Sequence, residues 1–253
     1  MLETMKDPKD WDNLPAFLEG LYMAKRRLES SQVEKMVRRA NEMRRQGVVM
    51  ECIRRAGTTG LLLNDARVVR EVMWGARLRA LQAGWSVEGT EKALLQGEQI
   101  MELLEDPKHS GKNGVVGEHP RKLPEVIGVV LELAAVRAGK YANGQDEDGK
   151  VAAFATTTLA SIRTHGNADF DSGNWHDANY KLQMWAPVLH GLRLAFGVLK
   201  KNTTLAQDIR STTRELGEVV SQTRTLLLAN TLQGGTRRGL KVYDDIASSS
   251  HAS

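Results

Sequence analysis

Four residues in one stretch of the sequence combine arginine with an aromatic ring at helical spacing. Arg67, Arg70, Trp74 and Arg77 follow one another at intervals of three, four and three residues, which places them on one face of a helix. Single-stranded RNA would use such a face, with phosphates paired to guanidinium groups and a base stacked on the indole. A structural interpretation also fits, in which Trp74 packs against a neighbouring helix and the arginines extend into solvent. The spacing leaves both open.

This helix lies in a strongly basic stretch, residues 21–84. The stretch contains 14 Lys and Arg against 6 Asp and Glu, a net charge of +8, whereas the whole chain carries +4. Positive charge concentrated in one helical block is typical of proteins that bind a polyanion. Besides the four residues above, the predicted RNA contacts are Arg26, Arg27, Arg38, Arg39, Arg44, Arg45, Arg54 and Arg55.

Residues for enzymatic chemistry are largely missing. The glycines of GTTGLLLND and GKNGVVG lack the spacing that places amides around a phosphate. Cys52 lies on a short amphipathic stretch, where a buried thiol is the ordinary outcome. His165, His176 and His190 include no pair at the spacing that a helical metal site needs. The sequence therefore predicts no catalytic residue, no cofactor and no metal site.

Composition favours a helical protein of a reducing compartment. The chain has 253 residues, of which 41% are hydrophobic, with six prolines and a single cysteine, and this is enough apolar content to bury a core. Leu, Ala, Arg, Glu and Gln dominate the periodic stretches, so we expect an all-α fold. The longest apolar runs are too short or too interrupted to span a membrane. The first twenty residues are too acidic for a secretory signal or a transit peptide.

The chain divides into four predicted regions. Residues 1–105 form a basic helical-hairpin region, 106–122 a Gly-, Pro- and Lys-rich linker, 123–233 a second helical region, and 234–253 a flexible tail. Within the first region, one helix is expected to run from Asn13 to about Glu29. The next opens with a capping box of Ser31 and Glu34 and ends at Gly47.

The second region ends in a long helix with a heptad pattern. Apolar and small polar residues recur at spacings of four and three over residues 203–233, which predicts a helix docked along the preceding ones, with a partner helix as the second choice. The seam consists of Leu205, Ile209, Thr212, Leu216, Val219, Thr223, Leu226 and Asn230.

Two consecutive segments carry a family resemblance. EKMVRRANEMRRQGVVMECIRRAG and LNDARVVREVMWGARLRALQAG resemble the helix, turn, helix rhythm of pentatricopeptide and tetratricopeptide repeat proteins, and the excess of Arg over Lys is similar to that of fungal mitochondrial ribosome or translation-associated proteins. The resemblance implies an irregular, α-solenoid-like stack of antiparallel helical hairpins with one long binding surface.

Two functions are compatible with these patterns. The first is a non-enzymatic, RNA-associated scaffold of an organellar ribosome or translation complex, with rRNA or mRNA and neighbouring proteins as partners. It would be located in the mitochondrial matrix. The alternative is a tetratricopeptide-like adaptor that binds a partner helix or peptide, for which a cytoplasmic location is also open.

Overall fold

The protein is built from helices throughout the part of the chain that the structure, a computed structural model, describes. That part comprises residues 5, 7–110, 119–165, 175–199, 203–229 and 237–249. Helices account for 83% of it, and it contains no strand. The predicted all-α fold class is confirmed. Of the linker predicted at 106–122, residues 111–118 lie outside the described part, as do residues 234–236 and 250–253 of the predicted tail.

The chain forms two compact units, Met1–Val126 and Ile127–Ser253. The first unit contains α1 (Leu14–Met23), α2 (Ser30–Glu42), α3 (Gln46–Arg54), α4 (Ala56–Thr59), α5 (Ala66–Gln82) and α6 (Val87–Leu103). The second contains most of α7 (Pro124–Tyr141), together with α8 (Lys150–His165), α9 (Trp175–Val198), α10 (Thr203–Ala229) and α11 (Arg238–Ser249). Short 3-10 helices occupy Pro8–Asn13, Pro107–Ser110 and Pro120–Lys122.

Helix α5 is the buried centre of the first unit. Residues 71–77 are all buried, and α2 and α6 both pack against this helix. Gly75 allows α2 to come close, because a Cβ atom at this position would overlap the side-chain amide of Asn41. The Asn41 Nδ2 donates to the carbonyl oxygen of Glu71 at 2.8 Å. Helix α5 is therefore enclosed both by its consecutive neighbour α6 and by α2, which is distant in sequence.

Two predicted helix boundaries in the first unit are wrong for the same reason. Lys25 and Arg44 adopt left-handed backbone conformations, with φ of 56° and 59°, and a residue in that conformation ends an α-helix. Helix α1 therefore stops at Met23 instead of near Glu29, and α2 stops at Glu42, so that Gly47 lies inside α3. The capping box of α2 is also displaced, because Glu29 and Gln32 form it rather than Ser31 and Glu34.

The second unit is assembled around α7 and α9, which cross in close contact. A Cβ atom on Gly128 would lie 2.7 Å from Val188 Cγ2, and one on Gly191 would lie 2.9 Å from the backbone nitrogen of Glu132. The Nδ1 atom of His190 lies 2.7 Å from Glu132 Oε1, and both residues are buried. A buried carboxylate requires such a polar contact because its charge is separated from water.

The C-terminal helices pack onto α9. Helix α10 lies along α9 and α8, as the heptad pattern predicted. Ile209, Leu216 and Thr223 of the predicted seam are buried, but Leu226 is 59% exposed and Leu227 is buried in its place; Asn230 lies outside the described residues. The buried positions shift by one residue along α10 because a straight α-helix has 3.6 residues per turn, whereas the heptad pattern repeats every 3.5 residues.

The prediction of a flexible tail from residue 234 is wrong for Arg238–Ser249. These residues form α11, which packs on α9 through buried residues such as Leu240, Val242 and Ile246. Gly239, Val242 and Ile246 are buried and recur at spacings of three and four residues, so the helical period is present in this segment and the sequence interpretation overlooked it.

We expect the Gly75→Ala substitution to lower the free energy of unfolding by about 2 kcal/mol, because the added methyl group displaces Asn41 from its hydrogen bond to α5. The matched control is Gly20→Ala, since a Cβ atom at Gly20 in α1 meets nothing within 4 Å. The control should raise the free energy of unfolding by about 0.5–1 kcal/mol. Urea denaturation of both variants checks the pair, and equal stabilities would contradict the close contact of α2 with α5.

Candidate nucleic-acid interface

Of the four residues predicted to form an RNA-binding face on α5, two lie at the surface and two are buried in the core. Arg67 is exposed and Arg70 is half-buried, whereas Trp74 and Arg77 are 3% and 2% exposed. The four residues follow one stripe of the helix, but neighbouring elements cover its C-terminal half. Trp74 and Arg77 are therefore not accessible to RNA in this fold, and the structural interpretation of Trp74 is the one that the structure supports.

Arg77 is buried against two indole rings. Its guanidinium carbon lies 5.2 Å from the ring centroid of Trp74 and 5.6 Å from that of Trp85. A planar, weakly hydrated guanidinium stacks favourably on aromatic faces, which partly offsets the loss of water around its charge. The contribution of Trp85 was not predicted, because this residue follows the end of α5 and joins the cluster only in the tertiary structure.

The two outer arginines of α5 are held by carboxylates. Arg70 Nη2 lies 2.6 Å from Glu125 Oε1, and Arg67 Nη2 lies 3.0 Å from Asp65 Oδ2. Asp65 is also the N-cap of α5, since its side chain accepts a hydrogen bond from the backbone N–H of Arg67 at 2.8 Å. Burial opposes ionisation of Asp65, but hydrogen bonds from Arg67 and Ser30 outweigh it and lower its pKa to about 2.

Many predicted contacts on α2 and α3 are also engaged with acidic side chains. Arg38 pairs with Glu34 and approaches Glu71, and Arg39 pairs with Glu42 at 2.8 Å. Two further pairs join parts of the first unit that are distant in sequence. Arg45 lies 3.6 Å from Asp12 and donates to the carbonyl oxygen of Pro8, and Arg55 pairs with Glu19 as well as with the nearby Glu51. Much of the positive charge of the block is therefore neutralised within the protein.

Four predicted contacts differ from the rest. Arg26, Arg27, Arg44 and Arg54 are exposed, and none of them forms an ion pair with a carboxylate in the part of the chain that the structure describes. Arg54 donates to the neutral Gln99 at 2.6 Å. These guanidinium groups can pair with an external anion without breaking an internal salt bridge.

Arg44 lies on the rim of a basic cleft in the first unit. The cleft has a volume of about 480 Å³ and is lined by Arg44, Arg45, Gln46, Gly47, Val48, Arg79, Gln82 and Ala83. Arg79 is half-buried and donates to Gln96 at 3.0 Å. Three arginines from the α2–α3 turn and from the end of α5 therefore face one concave surface, a shape suited to an anionic group. Arg79 was absent from the predicted contacts because no spacing links it to the α2–α3 turn.

The groups considered for other chemistry are placed in ordinary structural roles. Cys52 is fully buried, and burial raises the pKa of its thiol to about 12, which disfavours a nucleophilic thiolate. His190 is bonded to Glu132, and His176 stacks on Trp175 at 3.4 Å between ring centroids. Across the described ranges, no three His, Cys, Asp or Glu side chains come together as metal ligands would. Among the helices that the structure describes, none has both the length and the hydropathy of a membrane span.

We expect the negative charge of Asp65 to stabilise the folded protein at pH values above 3.8, the ordinary pKa of this carboxyl group. Because the folded state lowers this pKa to about 2, the stabilisation should be lost as the pH falls through that value. Asp65→Asn should therefore lower the free energy of unfolding by about 1–2 kcal/mol at neutral pH and by almost nothing near pH 2.

Chemical denaturation over this pH range measures the difference. The control is Glu88→Gln, which removes a fully exposed carboxylate paired with Lys92 and should change stability little at any pH. An Asp65→Asn effect that is constant between neutral pH and pH 2 would show that the charge is not responsible.

Comparison with known proteins identifies the family. The family model for mitochondrial ribosomal protein mS27 (Mrp13) matches residues 1–245. The small ribosomal subunit protein mS27 of Neurospora crassa is 28% identical over 147 residues, which cover 54% of this chain and 37% of that protein. The chain thus spans well under half of this curated relative, and the fungal mitochondrial resemblance of the sequence is confirmed. The chain therefore belongs to the mitochondrial ribosomal protein mS27 family, a family of structural ribosome components rather than enzymes, and is a protein of the mitochondrial matrix.

Proposed function

We propose that this chain is a structural component of the small subunit of the mitochondrial ribosome and that it contacts RNA phosphates through its Arg-rich N-terminal helices. The family supports the ribosomal role. The observation that carries the RNA contact is the cleft at the α2–α3 turn, where Arg44, Arg45 and Arg79 line one concave surface. Its partners are RNA and neighbouring proteins of the same assembly.

The geometry of the cleft suits a phosphate group. Guanidinium groups donate paired hydrogen bonds to phosphate oxygens, and several of them around one cavity bind without sequence preference. Helix α3 begins at the cleft with Gln46 and Gly47, and no side chain caps its first amides. An uncapped helix N-terminus adds N–H donors and a favourable dipole for an anion.

The exposed arginines extend this contact beyond the cleft. Arg26 and Arg27 lie in the α1–α2 turn, and Arg54 lies at the end of α3. Each can contribute a phosphate contact while the salt bridges of its neighbours remain intact. The paired residues Arg38, Arg39, Arg45, Arg55, Arg67 and Arg70 would have to exchange an internal carboxylate for a phosphate or share both.

One surface of the first unit favours the alternative function of a protein adaptor. A partly enclosed groove of about 550 Å³ has apolar lining residues that include Leu21, Tyr22, Leu28 and Val33, with Arg26 at its edge. Such a groove fits an apolar segment of a neighbouring protein. In a ribosome both contacts can serve one structural role, so the experiment below asks whether the cleft binds RNA.

We expect Arg44→Gly to weaken RNA binding while it stabilises the fold. Glycine accepts the left-handed backbone at this position, where φ is 59°, so the free energy of unfolding should rise by about 1 kcal/mol. The affinity for a fluorescent single-stranded RNA should fall severalfold because one phosphate contact is lost. The dependence of log K on log salt should become shallower by about 0.7. Fluorescence anisotropy at several salt concentrations measures both quantities.

Two control variants separate charge from backbone. Arg44→Lys keeps the charge on the same backbone and should retain most of the affinity and the full salt dependence. Asn143→Gly relieves a left-handed residue of the second unit, where φ is 52°, and should stabilise the fold without changing RNA binding. Reversal of Arg38 or Arg45 is a poorer test, since Glu would then face Glu34 or Asp12. If Arg44→Gly binds RNA like the wild type, the cleft is not an RNA contact and the adaptor function is favoured.

A further inference from the structure

A second basic surface lies in the other unit, in a groove between α9 and α10. The groove has a volume of about 580 Å³, and its lining residues are Arg193 from α9 and Arg210, Thr213, Arg214, Gly217, Glu218, Ser221 and Gln222 from α10. The α10 positions 210, 214, 217 and 221 are spaced four, three and four residues apart, so they form one continuous stripe along the helix. None of the lining residues was predicted as a site.

The charge of the groove is available to a ligand. Arg193, Arg210 and Arg214 are all exposed, and none of the three forms an ion pair with any side chain that the structure describes. Glu218 is the one acidic residue among the described residues of the lining, which together carry a formal charge of +2. This differs from the first unit, where most of the arginines are paired with nearby carboxylates.

Gly217 keeps the groove open. A Cβ atom at this position would lie 3.6 Å from Arg193 Nη2 and 4.0 Å from Leu189 Cδ1, so a longer side chain would extend beneath the guanidinium group and fill the space. The hydroxyl oxygen of Thr213 is buried and has no hydrogen-bond partner among the described residues. This hydroxyl is closed off from solvent, so it is not among the donors that the groove offers to a ligand.

We propose that this groove binds the phosphodiester backbone of RNA. Three guanidinium groups, the hydroxyl of Ser221 and the amide of Gln222 are donors of the kind that contact nucleic-acid backbones, and the described lining residues include no large apolar one to anchor a protein segment. Arg210 and Arg214 are separated along α10 by a rise of about 6 Å, which is of the order of the distance between successive phosphates. This proposal rests on the proposed function in one respect, namely that the polyanion is RNA.

The test uses the full chain and a fluorescent single-stranded RNA of mixed sequence. We expect the double variant Arg210→Gln with Arg214→Gln to lose about tenfold in affinity or more, and its salt dependence to become shallower by about 0.7 for each lost contact. The matched control is Lys140→Gln with Lys241→Gln, which removes two exposed cations of the same unit that lie outside the groove. The control should keep the wild-type affinity within twofold.

A third variant tests the shape of the groove without changing its charge. Gly217→Leu should weaken RNA binding severalfold because its side chain fills the space beneath Arg193. It should keep or raise the thermal stability, since glycine in a helix is unfavourable. Thermal melts of every variant exclude unfolding as the cause of an affinity change.

The outcomes distinguish this groove from the cleft of the first unit. Loss of affinity in the groove variants supports the groove whether or not the Arg44 variants bind normally. Wild-type affinity and salt dependence in Arg210→Gln with Arg214→Gln would overturn it, even if Arg44→Gly fails to bind. A groove variant that binds RNA normally but loses binding to poly-glutamate would also overturn it and would assign the groove to an acidic protein segment.

Discussion

The close approach of α2 to α5 is the contact on which the first unit depends. Gly75 leaves room for Asn41, which bonds to the backbone of α5 at Glu71. With α6 on another side, the middle of α5 is buried, and Arg77 is enclosed with Trp74 and Trp85. Arg77, whose guanidinium group is a common nucleic-acid contact, is therefore part of the core. Its burial is decided by the elements that pack around α5 and not by its residue type.

Internal neutralisation is the second constraint on this protein. A net charge of +8 over residues 21–84 would repel itself in a compact unit, and carboxylates placed beside the arginines reduce that repulsion. Several of these carboxylates come from outside the block, including Asp12, Glu19 and Glu125. On the function proposed above, the surface available to a polyanion is smaller and more localised than the charge count suggests. It centres on the exposed arginines that form no ion pair within the described part of the chain.

The second unit also combines a close contact between two helices with an exposed group of arginines. Its centre is made by glycines that let α7 and α9 cross closely, and by the buried contact of His190 with Glu132. Helices α10 and α11 then cover α9. Because α10 uses Ile209, Leu216 and Leu227 for packing, the part of its exposed side between Arg210 and Gln222 is polar, although Leu226 and Leu228 are exposed further along. An Arg-rich groove can form there with no loss of core packing.

The sequence by itself determined the helical fold, most of the helices and the long docked helix α10, because helical periodicity and the cap of α6 at Ser86 are local properties of the chain. It also carried the resemblance to fungal mitochondrial ribosomal proteins. Only the tertiary structure decided where left-handed residues such as Arg44 end a helix, and which exposed arginines form no ion pair in the described part of the chain. Spacing placed Arg67, Arg70, Trp74 and Arg77 on one stripe, but solvent access depends on distant elements that cover that stripe. Long-range packing thus buries Trp74 and Arg77 of the predicted contacts on α5 and leaves the predicted Arg44 at the α2–α3 turn exposed.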